Sequence, residues 1–254
     1  MIENSFKELV DIVKLLRVEC PWDREQTHDS IKSNTIEEAY EVVEAIDHKD
    51  YNELKKELGD LLLHVLFHTQ IAEGNNHFNL SEVINEIKEK LIRRHPHVFG
   101  DVEVSGAAHV KKNWETIKLK EGRKSILEGV PETLPSLQRA YRLQEKASKI
   151  GFDWEKKEDV WKKVIEEIEE VHASERTGTK KELEGEFGDL FFAMVNYARF
   201  LGINPEDALR ITNRKFISRF TFVEKKILES GKELNQSSLA EMDKYWEESK
   251  KLEK

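Results

Sequence analysis

Apolar residues recur along the chain at intervals of three and four, and strict alternation is scarce. That periodicity marks helices buried along one face. It predicts helices over 3–18, 28–47, 50–73, 81–94, 108–121, 135–149, 157–175, 180–201, 205–230 and 237–251. Local chemistry marks several ends. Ser81 precedes Glu82 and an apolar series, and Asn204-Pro205 with Asp207 supplies a cap, a first-turn proline and an early acid. Gly74-Asn75-Asn76, Pro96 and Gly202 mark stops. The expected fold class is all-α. Gly122, Gly129, Pro131 and Pro135 make 122–135 the clearest linker, between a first helical domain at 1–121 and a second at 136–254.

The two halves repeat each other. With a shift of 129 residues, 36–61 falls on 165–190, and eleven of the twenty-six positions are identical. They include Glu37/Glu166, Glu38/Glu167, Glu41/Glu170, Glu57/Glu186, Gly59/Gly188 and Asp60/Asp189. With small gaps, Pro21-Trp22-Asp23 echoes Phe152-Asp153-Trp154, Lys90 and Arg94 echo Lys215 and Arg219, and Trp114 with Lys118 echoes Trp246 with Lys250. Two copies of one helical domain follow; the period is too long and the copies too few for a solenoid.

Composition narrows the class. The chain has 254 residues, 36% of them charged, yet twelve Phe and five Trp supply a core, so this is not a disordered protein. The formal net charge of −9 argues against a general nucleic-acid ligand, whose affinity would come from neutralised phosphates. The single cysteine, Cys20, excludes an internal disulfide and a thiolate-rich metal site, and is most simply a small packed residue. No apolar run approaches about eighteen residues, so no membrane span is expected. The acids at the start of the chain are unlike a signal peptide, and a cytoplasmic location is the expectation.

The conserved spacing inside the repeat is acidic. Each copy has Glu-Glu-x-x-Glu, fifteen residues, then Glu-x-x-Asp. Residues three and four apart share a helix face, so Glu38 meets Glu41 and Glu57 meets Asp60. If the two helices pack antiparallel, four or five carboxylates converge. Two like charges about 4 Å apart cost on the order of 4 kcal/mol at an effective dielectric near 20, so such a cluster needs protons or a cation. One copy alone reads equally well as a solvated face. The duplication favours ligation, because 43–52 and 172–181 share no residue while the acids and their spacing persist. All-oxygen donors favour Mg²⁺ or Mn²⁺. A di-iron bundle would use Glu-x-x-His. His64 and His68 follow Asp60, but their repeat partners are Ala193 and Tyr197, which points to local packing or a polar network.

Basic residues follow the acids in both copies: Lys90, Arg93 and Arg94 in the first, Arg214, Lys215 and Arg219 in the second. Beside a hard-cation site they suit a polyphosphate, arginine as a bidentate grip and lysine as a point charge. Trp114 and Trp246 fit either stacking on a base or a core place at a helix end. No Gly-x-x-x-x-Gly-Lys-Ser/Thr loop is present.

These acidic motifs, together with Cys20-Pro21-Trp22-Asp23, Glu57-Leu58-Gly59-Asp60-Leu61-Leu62, Arg93-Arg94-His95-Pro96-His97-Val98-Phe99 and Asn113-Trp114-Glu115, resemble the MazG family of nucleoside triphosphate pyrophosphohydrolases. The resemblance spans nearly the whole chain. It implies two tandem helical-bundle domains of the all-α NTP pyrophosphatase type, a homodimer, and Mg²⁺-dependent cleavage of NTPs or dNTPs to monophosphate and pyrophosphate, as nucleotide-pool house-cleaning. It makes Glu37, Glu38, Glu41, Glu57 and Asp60, and Glu166, Glu167, Glu170, Glu186 and Asp189, metal ligands or their neighbours, with Glu38 and Glu167 as candidate bases. It assigns nucleotide contacts to Lys215, Arg219, Trp246 and Lys250, and in the first copy Lys90, Arg93, Arg94, Trp114 and Lys118 take the analogous role. The copies differ at Glu44/Ala173, His64/Ala193 and Lys56/Gly185, so either or both can be active. A narrower substrate (dUTP, dCTP, phosphoribosyl-ATP or pyrophosphate) and a non-enzymatic nucleotide- or metal-binding scaffold fit the same residues.

Overall fold

The computed structural model describes residues 2–122 and 124–252. Met1 and Lys254, the outer bounds of the two expected domains, lie outside the described residues, as does the side chain of the motif residue Glu115. The helices are α1 (Ile2–Glu19), α2 (Pro21–Glu25), α3 (His28–His48), α4 (Tyr51–Gly74), α5 (Leu80–Arg94), α6 (Pro96–Phe99), α7 (Ala107–Lys120), α8 (Ser136–Ser148), α9 (Lys157–Thr177), α10 (Lys180–Phe200), α11 (Pro205–Glu229) and α12 (Leu239–Leu252). A single 3₁₀ turn covers Leu234–Gln236, and no strand occurs among the described residues. The all-α expectation holds. Each of the ten helices read from periodicity is present, with ends within about two residues of those expected.

The backbone divides into two compact units, Met1–Ser105 and Gly106–Lys254. The division falls before α7. In the first unit α3 and α4 form an antiparallel hairpin with α1 and α5 against α4. Val13, Ile31, Leu66, Phe67 and Ile71 are its buried centre, and Phe6, Leu9, Val10, Leu63 and Leu80 close over them. The hairpin turn is two residues. Lys49 takes the left-handed conformation with φ 57°, and Asp50 accepts hydrogen bonds from the Asn52 and Glu53 amides, starting α4.

The second unit repeats this plan with α9 and α10, joined through Gly178 and Thr179 and packed against α8 and α11. Thr179 and Glu182 form a reciprocal capping box at the start of α10. Val160, Val164, Val195, Val223 and Ile227 are almost fully buried. Lys146 of α8 is also buried, and its Nζ donates to the carbonyls of Ile126 (3.1 Å) and Glu128 (3.0 Å). Ile126 and Glu128 of the glycine- and proline-marked segment are thus tied onto α8. Leu58, Leu62 and Val65 of α4 form an exposed apolar stripe, and the equivalent residues of α10, Phe187, Phe191 and Met194, form another. Among the described residues no helix is long and apolar enough to cross a membrane.

Candidate metal and nucleotide site

A two-residue turn forces each acidic helix pair to run antiparallel, so the two motifs of each copy face one another. In the first unit one carboxylate oxygen each from Glu38, Glu41 and Glu57 lies within 4.8 Å of the others. In the second unit Glu167, Glu186 and Asp189 meet the same limit. Glu57 and Glu167 are buried, with 8% and 5% of their surface exposed. Loss of hydration pushes the Glu57 carboxyl up to about 7, helped by its hydrogen bond with Glu53 and by the Glu41 charge. Glu38 is raised by desolvation, then by Glu41 and Asp60. Glu170 is raised by desolvation and by its hydrogen bond with Glu167.

Of the remaining acids expected at the site, Asp60 is exposed but close enough to raise Glu38. Glu37 and Glu166 are exposed and fall outside the two groupings. Each copy also brings a nitrogen group to its candidate base, from the facing helix α4 in the first unit and from the base's own helix α9 in the second. In the first unit His64 Nε2 is 3.7 Å from Glu38 Oε1. The Thr35 hydroxyl bonds His64 Nδ1 (3.1 Å) and His68 Nε2 (3.0 Å), and His28 Nδ1 lies 2.9 Å from His68 Nδ1. His64 and His68 therefore belong to a polar network, one of the two roles their sequence position allowed; burial lowers the His68 pKa.

In the second unit Lys163 Nζ lies 2.7 Å from both Glu166 and Glu167, and these contacts raise its pKa. Sequence reasoning passed over Lys163. The available signal was its spacing of three and four residues from two acids on one helix. Its repeat equivalent is Asn34, so no repeat pattern drew attention to it.

The donor sets fit a hard divalent cation. Oxygens trans across Mg²⁺ stand about 4.2 Å apart at a bond length near 2.1 Å, so groups already within 4.8 Å need only small adjustment. The basic residues stand on other helices. Lys90, Arg93 and Arg94 are on α5, where Lys90 lines a groove with Glu82 and Glu86. Trp114 and Lys118 are together on α7, the ammonium 5.8 Å from the ring centre. Lys215 and Arg219 are on α11, and Trp246 and Lys250 on α12. Arg219 stacks on Trp246 at 5.7 Å, and Phe216 packs against the same indole at 5.4 Å. Lys250 pairs with Glu247 one turn earlier.

Comparison with known proteins finds one domain twice in the chain. The model of the MazG nucleotide pyrophosphohydrolase domain matches residues 26–99 and again 155–223. The chain is 46% identical, over 96% of its own length and 95% of the other's, to the nucleoside triphosphate pyrophosphohydrolase/pyrophosphatase MazG of Thermotoga maritima. It is 40% identical to the nucleoside triphosphate pyrophosphohydrolase of Escherichia coli K12, covering 98% of each chain. It is 48% identical to the uncharacterized protein YabN of Bacillus subtilis, and there it spans 53% of the longer chain.

Proposed function

Because the chain belongs to the MazG nucleotide pyrophosphohydrolase family, we propose that it is the hydrolase its near full-length relatives are named for, cleaving nucleoside triphosphates to the monophosphate and pyrophosphate. The observation that carries this reading is the convergence of three carboxylates between the paired helices of each copy, with Glu57 of the first pushed up to about 7 by burial and its neighbours. Such a site is poised for a divalent cation, and Mg²⁺, with Mn²⁺ as its substitute, is the cation we assign.

In the first unit Glu38, Glu41 and Glu57 would hold the ion with Asp60 beside them; in the second, Glu167, Glu186 and Asp189 would do so with Glu170 beside them. Glu37 and Glu166 flank these sets. When bound, the cation supplies charge neutralisation at the triphosphate and a lowered pKa for the attacking water. Glu38 and Glu167 accept the proton from that water. Lys163, which pairs with Glu166 and Glu167, would stand beside the substrate phosphates and add positive charge there where Glu167 holds a cation. Lys215, Arg219 and Lys250 in the second unit, and Lys90, Arg93, Arg94 and Lys118 in the first, supply positive charge for the triphosphate and the departing pyrophosphate. Trp114 and Trp246 each back one of those cations through the ring face.

We further assign the protein to the cytoplasm, where its substrates are, with removal of surplus or aberrant nucleotides as its role. A homodimer is the proposed assembly, and neither nucleic acid nor membrane is among the proposed partners. The test is the Glu38→Gln, Glu167→Gln double variant. Pyrophosphate release from a panel of NTPs and dNTPs is expected to fall at least about a hundredfold, the usual range for loss of a general base, with the melting temperature held or raised as like charges are removed. Wild-type rates in the double variant would remove both residues from the mechanism.

A further inference from the structure

The two acidic clusters differ in what stands beside the candidate base. In the second unit it is the Lys163 ammonium, 2.7 Å from Glu167. An ammonium has no lone pair and cannot ligate a cation, so the donors of that cluster are all oxygens. In the first unit it is an imidazole. His64 Nε2 lies 3.7 Å from Glu38 Oε1, with 14% and 20% of the two side chains exposed. The second copy has no counterpart to it: the positions equivalent to Thr35, His64 and His68 are Val164, Ala193 and Tyr197.

Thr35 fixes the protons of the histidine network. Its hydroxyl has one proton and gives it to the Ile31 carbonyl at 3.2 Å, so toward the rings it can only accept. His64 Nδ1, at 3.1 Å, and His68 Nε2, at 3.0 Å, are then both donors to it. His68 Nδ1 is left as an acceptor, and His28 Nδ1 supplies the proton at 2.9 Å. This arrangement satisfies every contact in the network and leaves His64 Nε2 with a bare lone pair.

That lone pair stands off a carboxylate oxygen at a distance too long for a hydrogen bond. Two acceptors set together in a poorly hydrated place call for a cation between them. The spacing suits one. Ligands bonded at about 2.0–2.1 Å to a single ion stand about 3 Å apart when adjacent and about 4 Å apart when opposite. Metal-bound histidines also share this outer shell, in which the second ring nitrogen donates to an oxygen that orients the ring. Glu38 belongs to the three-carboxylate group too, so the imidazole adds a nitrogen to that donor set.

We propose that the first cluster is a mixed nitrogen–oxygen site, in which His64 Nε2 joins Glu38 as a ligand, and that it takes a first-row transition cation in preference to Mg²⁺, while the second cluster remains a Mg²⁺ site. The inference rests on the metal-dependent pyrophosphohydrolase reading and deepens it. Imidazole suits Zn²⁺, Fe²⁺ and Ni²⁺, whereas Mg²⁺ keeps to oxygen.

The test uses the full chain carrying Glu186→Gln and Asp189→Asn, which leaves the first cluster intact, with Co²⁺ as the probe at pH 8. Calorimetry is expected to show Co²⁺ bound at least about a hundredfold more tightly than Mg²⁺. His64→Ala, which reproduces the second unit's side chain, lowers that ratio at least about tenfold by weakening Co²⁺ while Mg²⁺ affinity holds. A histidine with a structural role only would weaken both cations alike. Proton magnetic resonance of the Co²⁺-loaded chain is expected to show a strongly paramagnetically shifted, solvent-exchangeable signal, the Nδ1–H of a cobalt-bound imidazole. His28→Ala keeps that signal and His64→Ala loses it. Equal affinities for the two cations, a ratio unchanged in His64→Ala, or bound Co²⁺ without the signal overturns the mixed site. A first cluster that takes up neither cation overturns the metal reading of that cluster and this inference with it. Nitrogen-bound Co²⁺ in a protein whose unaltered chain releases no pyrophosphate from any NTP or dNTP with Mg²⁺ keeps the mixed site and overturns the enzyme reading instead.

Discussion

Glu57 has little water around it, and Glu53 and Glu41 lie close by, so it gives up its proton only near pH 7. The linkage follows from that direction. A carboxyl whose folded pKa lies above its ordinary 4.5 favours the fold while protonated, and that contribution is lost as pH rises from about 4.5 to about 7. In chelator the melting temperature should therefore fall across this window, and Mg²⁺ should recover more of it at pH 8 than at pH 5.5. Titrating the first unit with Mg²⁺ between pH 8 and 6 should show affinity dropping toward tenfold per pH unit below 7, as one proton must leave for each ion bound. Glu57→Gln should abolish that slope; an unchanged slope would mean that the carboxyl does not meet the ion. The identity of these acids was legible in the sequence because the repeat preserved them. Their neighbours were not. Lys163 and His64 reach the two candidate bases from non-equivalent positions, so the duplication that exposed the acids concealed the groups beside them.

Helices were the most legible level, for they are long and their apolar stripes are regular. The short ones, α2 and α6, each begin on a proline and span five and four residues, too few for a periodic signal to show. What matters for the site is where α4 and α10 begin, since a shift of one residue rotates every acid by about 100°. Capping fixes that start. Thr179 accepts from the Glu182 amide at 3.3 Å, and the Glu182 carboxylate accepts from the Thr179 amide at 2.7 Å. Thr179→Ala should cost about 1 kcal/mol, seen as a lower urea midpoint with an unchanged slope. It should also weaken the second site more than the first, because Glu186 and Asp189 ride on the helix it starts. Equal weakening of both would show that the cap has no part in placing those acids.

For the molecule as a whole, the two exposed stripes carry the clearest consequence. Leu58, Leu62 and Val65 sit at the same repeat positions as Phe187, Phe191 and Met194, spaced by four and three residues on one face of their helices. Phe191 alone leaves 58% of its surface exposed. Matched apolar stripes beside both acidic clusters are the surface on which the proposed homodimer would form. Leu62→Glu with Phe191→Glu should weaken self-association at least tenfold in sedimentation, while the helical circular-dichroism signal is retained. A wild-type protein that sediments as a monomer at micromolar concentration would remove the dimer from the account.

The sequence by itself determined the helices, the duplication and the acidic residues, because each is written in short-range spacing: three to four residues for a helix face, fifteen between the acidic pairs, 129 between the copies. Tertiary structure alone decided which acids converge and that His64 of α4 comes to lie 3.7 Å from Glu38 of α3. Those outcomes depend on side chains meeting across helices that are distant in sequence. Gln144, which donates to the Phe192 carbonyl forty-eight residues away, carries no spacing signal that a reading along the chain can detect.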